Sequence, residues 1–211
     1  MSSSKHNILK KIRQALATPV PAPFPAAENA ENFYKPSKQE LEVEFAENFT
    51  RLLGKFAFCA NKTELLQQLA GLIRSREWKN VYCRESSLLN TIGLSGLNFT
   101  DKDLKNSDAS VTGCEFLVAR TGSILMSSAQ ESGRTTSVYA PVHICIAYTD
   151  QLVFDIRDGL EQMRRKYRDG FPSLVTFATG PSRTADIEKT LVVGVHGPKE
   201  VFCFLVDRSG S

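Results

Sequence analysis

The chain has 211 residues, of which 42% are hydrophobic, and its 26 basic residues nearly balance 23 acidic ones, leaving a formal net charge of +3. This length fits one large α/β domain with an appendage, because domains typically run to roughly 100–200 residues. The apolar content is enough for a core, which excludes global disorder and a fold held by disulfides alone. The small net charge lacks the basic footprint of a dedicated nucleic-acid binder, so nucleic acid is not an expected partner.

No window approaches the roughly 18 consecutive apolar residues that a membrane span requires. The segment from Met1 to Lys11 lacks the apolar core of a signal peptide. We therefore expect a cytoplasmic protein without a membrane span.

The five cysteines are far apart in the sequence, and each lies in or beside an apolar run: Cys59, Cys83, Cys114, Cys145 and Cys203. An odd number at these spacings does not fit a disulfide framework, and structural zinc or iron–sulfur clusters need thiolates within a few residues of each other. We expect buried structural thiols, and no metal or cofactor on this chain.

Residues 1–36 are predicted to form an arm. Its first part carries apolar residues at helical spacing opposite basic ones, which predicts a short amphipathic helix over 7–16. Proline at every second position over 19–25 then favours an extended linker. The helix either lies on its own domain or docks on a partner or a second subunit, which would make the protein a homo-oligomer through this arm.

Strand and helix signals alternate along residues 37–211. A capping pattern at 37–40 predicts a helix over about 37–53, and a second pattern at 61–64 predicts another through Ile73. Short apolar runs at 56–60 and 81–83 flank this second helix as strands, and a βαβ unit of this kind implies a parallel sheet.

The second half continues in the same way, with strands predicted at 123–126, 142–148, 174–178 and 201–206, and helices at 152–167 and from near Thr184. The last two strands are apolar on both faces, as expected where helices cover both sides of a sheet. The predicted fold class is α/β with a mainly parallel sheet.

The segment richest in candidate chemistry follows the predicted strand at 174–178 and opens a predicted helix. It reads Gly180-Pro181-Ser182-Arg183-Thr184-Ala185-Asp186-Ile187-Glu188. Ligands of open α/β sheets bind at the carboxyl ends of strands, where such loops expose backbone N–H groups. Arg183 is suited to bidentate binding of a carboxylate or phosphate, with hydroxyls from Ser182 and Thr184 beside it. Alternatively, Thr184 only caps the helix and Asp186 complements its dipole.

A tight turn before the last strand, Gly194-Val195-His196-Gly197-Pro198, adds a second candidate. His196 is a candidate general base or ligand-orienting donor, unless it only binds backbone carbonyls of the turn. Ser182, His196 and Asp186 have the composition of a hydrolase triad, but Thr184 occupies the final glycine position of the nucleophile elbow, so no triad is expected. His196 and Asp186 remain the catalytic candidates, and Gly197 is assigned to the anion site.

Two further loops carry hydroxyls. Thr121, Gly122 and Ser123 precede a predicted strand and form either part of an anion site or a simple turn. Arg134 stands among hydroxyls at 133–137 and would strengthen an anion site if it converged with Arg183. His143 alternates with apolar strand residues and is predicted to be structural.

Together, the segments 180–188 and 194–200, and more loosely 121–123 and 141–143, resemble the LUD-domain family, in its lactate utilization protein C branch. The likeness covers roughly residues 40–207. It implies a Rossmann-like three-layer α/β sandwich similar to the group of ribose-5-phosphate isomerase, glucosamine-6-phosphate deaminase and coenzyme A transferases. The LUD-type domain would span 37–211.

The resemblance also implies a role in oxidising L-lactate to pyruvate, beside an iron–sulfur LUD protein and a cysteine-rich protein that carry the redox centres. This chain would then be a non-redox component that binds a small anion or carboxylate. The family usually has an acidic residue before Thr-Gly where this chain has Arg120, and Glu115 is the nearest substitute. The alternatives are a stand-alone enzyme for a sugar phosphate or coenzyme A thioester, and a pure assembly subunit.

Overall fold

The computed structural model describes residues 4–17, 39–93, 96–185 and 191–208. The chain divides into two compact units, 1–36 and 37–211. In the first unit the predicted helix is confirmed as α1 (Ser4–Leu16), whose apolar side chains are exposed. The predicted proline-rich linker lies outside the described residues. Within the described ranges, we find no helix with the length and apolar character of a membrane span.

The second unit contains five α-helices and twelve strands in its described part, besides three single-turn 3-10 helices. The helices are α2 (Leu41–Arg51), α3 (Lys62–Ser75), α4 (Ser86–Ile92), α5 (Thr136–Tyr139) and α6 (Ile156–Lys166). The strands are β1 (Lys55–Cys59), β2 (Val81–Cys83), β3 (Phe99–Thr100), β4 (Ala109–Thr112), β5 (Phe116–Val118), β6 (Ser123–Ser127), β7 (Val142–Tyr148), β8 (Leu152–Val153), β9 (Val175–Ala178), β10 (Arg183–Ala185), β11 (Leu191–Val193) and β12 (Glu200–Val206).

A six-stranded sheet with the order β1-β12-β7-β4-β2-β3 forms the centre, and each of its neighbouring pairs is parallel. Alternate residues of β7 enter different cores: Ile144 packs with α3 and α4, whereas Cys145 packs with α2, β5 and β6. This period of two is what a strand covered on both faces requires. The predicted α/β fold with a mainly parallel sheet is confirmed.

The sequence predicts helices on both faces of the central sheet, but the face that carries Cys145 is covered differently. A four-stranded sheet, β8-β5-β6-β9, lies there with α2. The predicted strand at 174–178 is the edge strand β9 of this second sheet, antiparallel to β6, and its residues are only partly buried or exposed. The predicted helix at 152–167 loses its first residues to β8 and begins at Ile156, because Asp155 caps it.

The helix predicted from near Thr184 is wrong. Strand β10 pairs there with β11 in an antiparallel arrangement, with Arg183 opposite Val193. Val192 and Val193 are β-branched and favour a strand. Hydrogen bonding of β10 to this strand overrides the local sequence pattern at Thr184 that favoured the start of a helix. The helix predicted from 37 begins instead at Leu41, because Glu40 has an extended backbone and serves as its N-cap. By contrast, Asn61 caps α3 as predicted, its side chain accepting from the Glu64 backbone N–H at 3.0 Å.

Candidate functional site

The structure brings the loop at 121–123 beside the segment that begins at Gly180. The Thr121 and Ser123 hydroxyls lie 2.8 Å apart, and the Ser123 hydroxyl lies 2.8 Å from that of Thr179. These bonds join the loop before β6 to the residue that precedes Gly180. The loops therefore adjoin, as a shared site requires.

Both loops pack against the C-terminal end of α2. Gly122 has a φ of +60°, and a Cβ there would lie 2.5 Å from the backbone nitrogen of Phe49. Gly180 has a φ of +83°, and a Cβ there would collide with the carbonyl oxygen of Leu52. Glycine is thus required at both positions for conformation and for space.

Arg183 is engaged at the same helix end, where its guanidinium donates to the carbonyl oxygen of Leu52. The last carbonyls of a helix carry partial negative charge, so a guanidinium beside them stabilises the helix terminus. The Arg183 side chain thus has a structural partner in this conformation. The anion-binding role assigned to Ser182, Arg183 and Thr184 stays a prediction.

The tight turn before β12 adjoins this loop. The backbone N–H of Ser182 donates to Pro198 at 2.9 Å, and its carbonyl accepts from Gly194 at 2.9 Å. A Cβ on Gly197 would lie 2.8 Å from that of Ser182, and Pro181 is buried nearby. His196 is exposed in this turn. Asp186, the other catalytic candidate, lies outside the described residues.

Arg134 does not join Arg183. Its guanidinium donates to the Ser173 hydroxyl at 2.6 Å, on the amino side of β9, whereas Gly180 and Arg183 follow that strand. At roughly 3.3 Å per residue, the two ends of β9 with their flanking residues are about 20 Å apart.

A cavity of about 580 Å³ opens at the carboxyl edge of the central sheet, where sequence motifs did not point. From β2 the chain crosses to β3 on one side, and from β4 it continues to β7 on the other. Ligands of open α/β sheets bind at such a switch point, and cavities of roughly 300–1,000 Å³ hold small molecules. Its lining includes Lys62, Glu85, Ser87, Leu88, Thr91, Gly113, Cys114, Ile146, Tyr148, Asp150, Gln151 and Arg208.

Glu85 is the buried acid of this cavity, with 8% of its surface exposed. Burial raises the pKa of Glu85 above its usual range, and hydrogen bonds from Ser132 and Gly113 partly offset this shift. The carboxylates of Glu131 and Glu115 raise the same pKa further. A carboxyl group with a raised pKa in a cleft marks a candidate functional site.

Two cations stand on the rim. Lys62 begins α3, and Arg208 follows β12 with its guanidinium 3.7 Å from the carboxylate of Asp150 and 4.9 Å from the ring centre of Tyr148. The side chain of Gln151 donates to the Cys114 carbonyl at 2.7 Å, and this hydrogen bond connects two residues that line the cavity. The cavity thus combines cations, hydrogen-bonding groups and one buried acid.

Glu115 is enclosed behind this site, with 1% of its side chain exposed. It accepts hydrogen bonds from Ser127 at 2.5 Å and from Lys166 and Tyr167 at 2.8 Å each. These contacts give Glu115 a structural role between the second sheet and the end of α6. His143 is also enclosed, with the Thr112 hydroxyl 2.8 Å from its Nε2, and burial lowers its pKa to about 4.

All five cysteines are buried and unbridged, which confirms the expectation of buried thiols. The fold brings three of them together, since Cys145 and Cys203 are register partners and Cys114 lies beside Cys145. Hydrogen bonding between these thiols and burial raise the pKa of Cys114 well above its usual range. Within the described residues, no group of three or more His, Cys, Asp or Glu side chains is arranged to hold a metal ion.

Comparison with known proteins finds one domain family and several relatives that share one name. A sequence model of the LUD domain matches residues 97–206, about half of the chain. Lactate utilization protein C of Deinococcus radiodurans is 34% identical over 121 residues, which is 55% of this chain and 56% of that protein. The protein of the same name from Bacillus subtilis is 32% identical over 110 residues, which is 51% of this chain and 46% of that protein. That of Oceanobacillus iheyensis is 27% identical over 186 residues, 83% and 74% of the two chains.

The chain thus spans about half the length of several of these relatives. A crystal structure of a DUF162 family protein from Deinococcus radiodurans matches 82% of this chain and 99% of its own, with a TM-score of 0.60 and 21% identity. The structural likeness supports the α/β fold described above. The match of the domain model supports membership in the LUD-domain family. The chain belongs to the LUD-domain family, in its lactate utilization protein C branch.

Proposed function

We propose that the chain acts in lactate utilization as a component that binds a small carboxylate, with L-lactate and pyruvate as the first candidates. Relatives that carry the name lactate utilization protein C support the process. The observation that carries the binding role is the cavity at the switch point of the sheet, with Lys62 and Arg208 on its rim and Glu85 buried within it.

The rim cations suit a carboxylate. Among the described residues, Lys62 has no acidic partner within ion-pair distance. Arg208 pairs with Asp150, but both side chains are more than half exposed, and such pairs stabilise a protein by at most about 1 kcal/mol. A ligand carboxylate can therefore replace Asp150 as the partner of Arg208. Hydroxyls of Ser87 and Thr91 supply neutral hydrogen-bonding groups.

We further propose that the oxidation of L-lactate to pyruvate uses iron–sulfur clusters on partner proteins, an iron–sulfur LUD protein and a cysteine-rich protein. The arrangement of the thiols supports this division of labour. Such clusters need several thiolates close together, and within the described residues no group of three or more His, Cys, Asp or Glu side chains is arranged to hold a metal ion.

Thermal-shift and calorimetric titrations of the full chain test the binding role. L-lactate or pyruvate should raise the melting temperature by mass action, whereas neutral lactamide should not. Lys62→Ala should weaken binding about tenfold, the effect of losing one charged hydrogen bond of about 1.5 kcal/mol. Arg183→Ala should leave it unchanged. Loss of binding in Arg183→Ala alone would move the site to the loop after β9, and no response to either acid would contradict the proposal.

The size of the cavity favours a second candidate. A three-carbon acid fills only a small part of about 580 Å³, a volume that suits ligands of drug-like size. We therefore propose ribose 5-phosphate and coenzyme A as further titrants. Binding of one of these, with turnover by the purified chain alone, would favour a stand-alone enzyme over a component of a larger system.

A further inference from the structure

We infer that Glu85 lies at the floor of the carboxylate site and, in its protonated form, donates a hydrogen bond to the ligand. The inference rests on the proposed function, because it assigns one group within the proposed pocket. Its consequence is that carboxylate binding and proton binding are coupled.

The position of Glu85 is set by two neighbouring strands. Glu85 follows β2, and its Oε1 accepts from the backbone N–H of Gly113, which follows β4, at 3.0 Å. A Cβ on Gly113 would lie 2.9 Å from Oε2 of Glu85, so the glycine leaves the space that the carboxyl group occupies. Glu85 thus bridges the strand ends at which the chain leaves in opposite directions, and it lines the cavity there.

Burial and the neighbouring acids favour a neutral Glu85 carboxyl, and the hydrogen bonds from Ser132 and Gly113 oppose this only in part. No ion pair joins Glu85 to a lysine or arginine within the described part of the chain. Acidic side chains approach from two other segments: Glu131, which accepts from the Ser86 backbone N–H at 2.5 Å, and Glu115 after β4. The other titratable and charged groups around the carboxyl and its cavity are the thiols of Cys83 and Cys114, the phenol of Tyr148, Asp150, Arg84 beside Glu131, and the rim cations Lys62 and Arg208.

A carboxylate ligand cannot contact an ionised Glu85 without strong repulsion, since water screens a carboxylate that is as buried as Glu85 only weakly from a second negative charge. A protonated carboxyl removes the repulsion and supplies an O–H donor, a role that buried acids perform in other binding sites. The proton comes from solvent and stays on Glu85, so no bond within the ligand changes. Where Glu85 is ionised in the free protein, ligand binding therefore takes up one proton.

Calorimetry of the full chain with L-lactate, between about pH 5 and about pH 8, measures this coupling. Where the pH exceeds the pKa of free Glu85, binding should take up about one proton per ligand, measured in buffers of different ionisation enthalpy. Above the pKa of free Glu85, affinity should fall by up to about tenfold per pH unit. Glu85→Gln, which has a similar shape and keeps a donor, should bind at both ends of the range with equal affinity.

Glu131→Gln is the matched control, because Glu131 is a neighbouring acid outside the cavity lining, and it should retain most of the pH dependence. Proton uptake by the wild-type chain tests the inference even if Glu85→Gln does not fold. Binding without proton uptake, or unchanged pH dependence in Glu85→Gln, would overturn the assignment of Glu85 and leave the proposed function intact. Absence of L-lactate and pyruvate binding at every pH would overturn both.

Discussion

The guanidinium of Arg120 holds the carboxylate of Asp155 through two hydrogen bonds, of 2.7 Å from Nε and 3.2 Å from Nη2. Asp155 is the N-cap of α6 and also accepts from the Arg157 backbone N–H at 3.3 Å. The pair therefore connects the loop before β6 to the first turn of α6. Arg120 thus has a structural partner here.

Replacing Arg120 with alanine should lower the free energy of unfolding by about 1 kcal/mol at neutral pH, as expected for a well-aligned ion pair near the surface. The Arg120 side chain lowers the pKa of Asp155. This contribution is therefore complete above the unfolded-state pKa of about 4 and is lost as the pH falls below it. The unfolding free energies of wild type and Arg120→Ala in urea should thus differ at pH 7 and differ less at an acidic pH below the lowered pKa of Asp155. An equal difference at both pH values would refute the assignment.

Substitution of Gly122 and of Gly133 by alanine distinguishes the cost of backbone strain from the cost of steric collision. Their φ angles are +60° and +65°, but a Cβ on Gly122 would strike the backbone of α2 whereas Gly133 has nothing within 4 Å. Gly133→Ala should cost about 1 kcal/mol from conformation alone. Gly122→Ala should cost at least about 2 kcal/mol more, because backbone must move. Equal melting temperatures for the two variants would show that the loop does not pack on α2 as described.

The contact between Lys166 and Glu115 should matter for stability although Lys166 is 56% exposed. Lys166→Met leaves a buried carboxylate without its cation, which we expect to cost about 2 kcal/mol, less than the roughly 3–5 kcal/mol of a fully buried pair because solvent screens the exposed Lys166. Arg165→Met, on the same helix and exposed, should change the unfolding free energy by less than about 0.5 kcal/mol. Chemical denaturation of the two variants measures the difference, and similar values would contradict the role given to Glu115.

The native thiols should resist alkylation. All five cysteines are buried, and burial raises the pKa of Cys59 and Cys83, so few thiolates form near about pH 8. A thiol-reactive dye should label the native protein far more slowly than the unfolded protein, which should react at five positions. Ser75→Cys, at an exposed site, provides the positive control. Rapid labelling of Cys114 in the native state would show that the cavity exposes this thiol.

Regular periodicity made much of the fold predictable from the sequence. Helix α3 combines an N-cap at Asn61 with apolar residues at helical spacing, and β7 is a continuous apolar run. Strand β4 escaped prediction because its sequence, Ala109 to Thr112, has little apolar character. All four of its residues are buried because β2 and β7 pair with it on either side. Such burial arises from tertiary pairing, which local patterns do not encode.

The cavity was harder to predict than the loops. Motif spacing identified the adjoining loops at 121–123 and 180–183, whose glycines are each required by a close contact. The residues of the cavity come from separate segments, and only the parallel sheet brings Glu85 beside Gly113. The available signal was the position of Glu85 just after the predicted strand at 81–83, at the sheet edge where ligands bind.

The most direct test of the central claim, that the cavity at the carboxyl edge binds a small carboxylate, is an NMR titration of the isotopically labelled full chain with L-lactate. The account predicts that the backbone amide signals of Gly113, Cys114 and Gln151 shift with saturation, while those of Ser182, Arg183 and Gly197 remain in place. Shifts confined to Ser182, Arg183 and Gly197, or no shifts at saturating L-lactate and pyruvate, would contradict it.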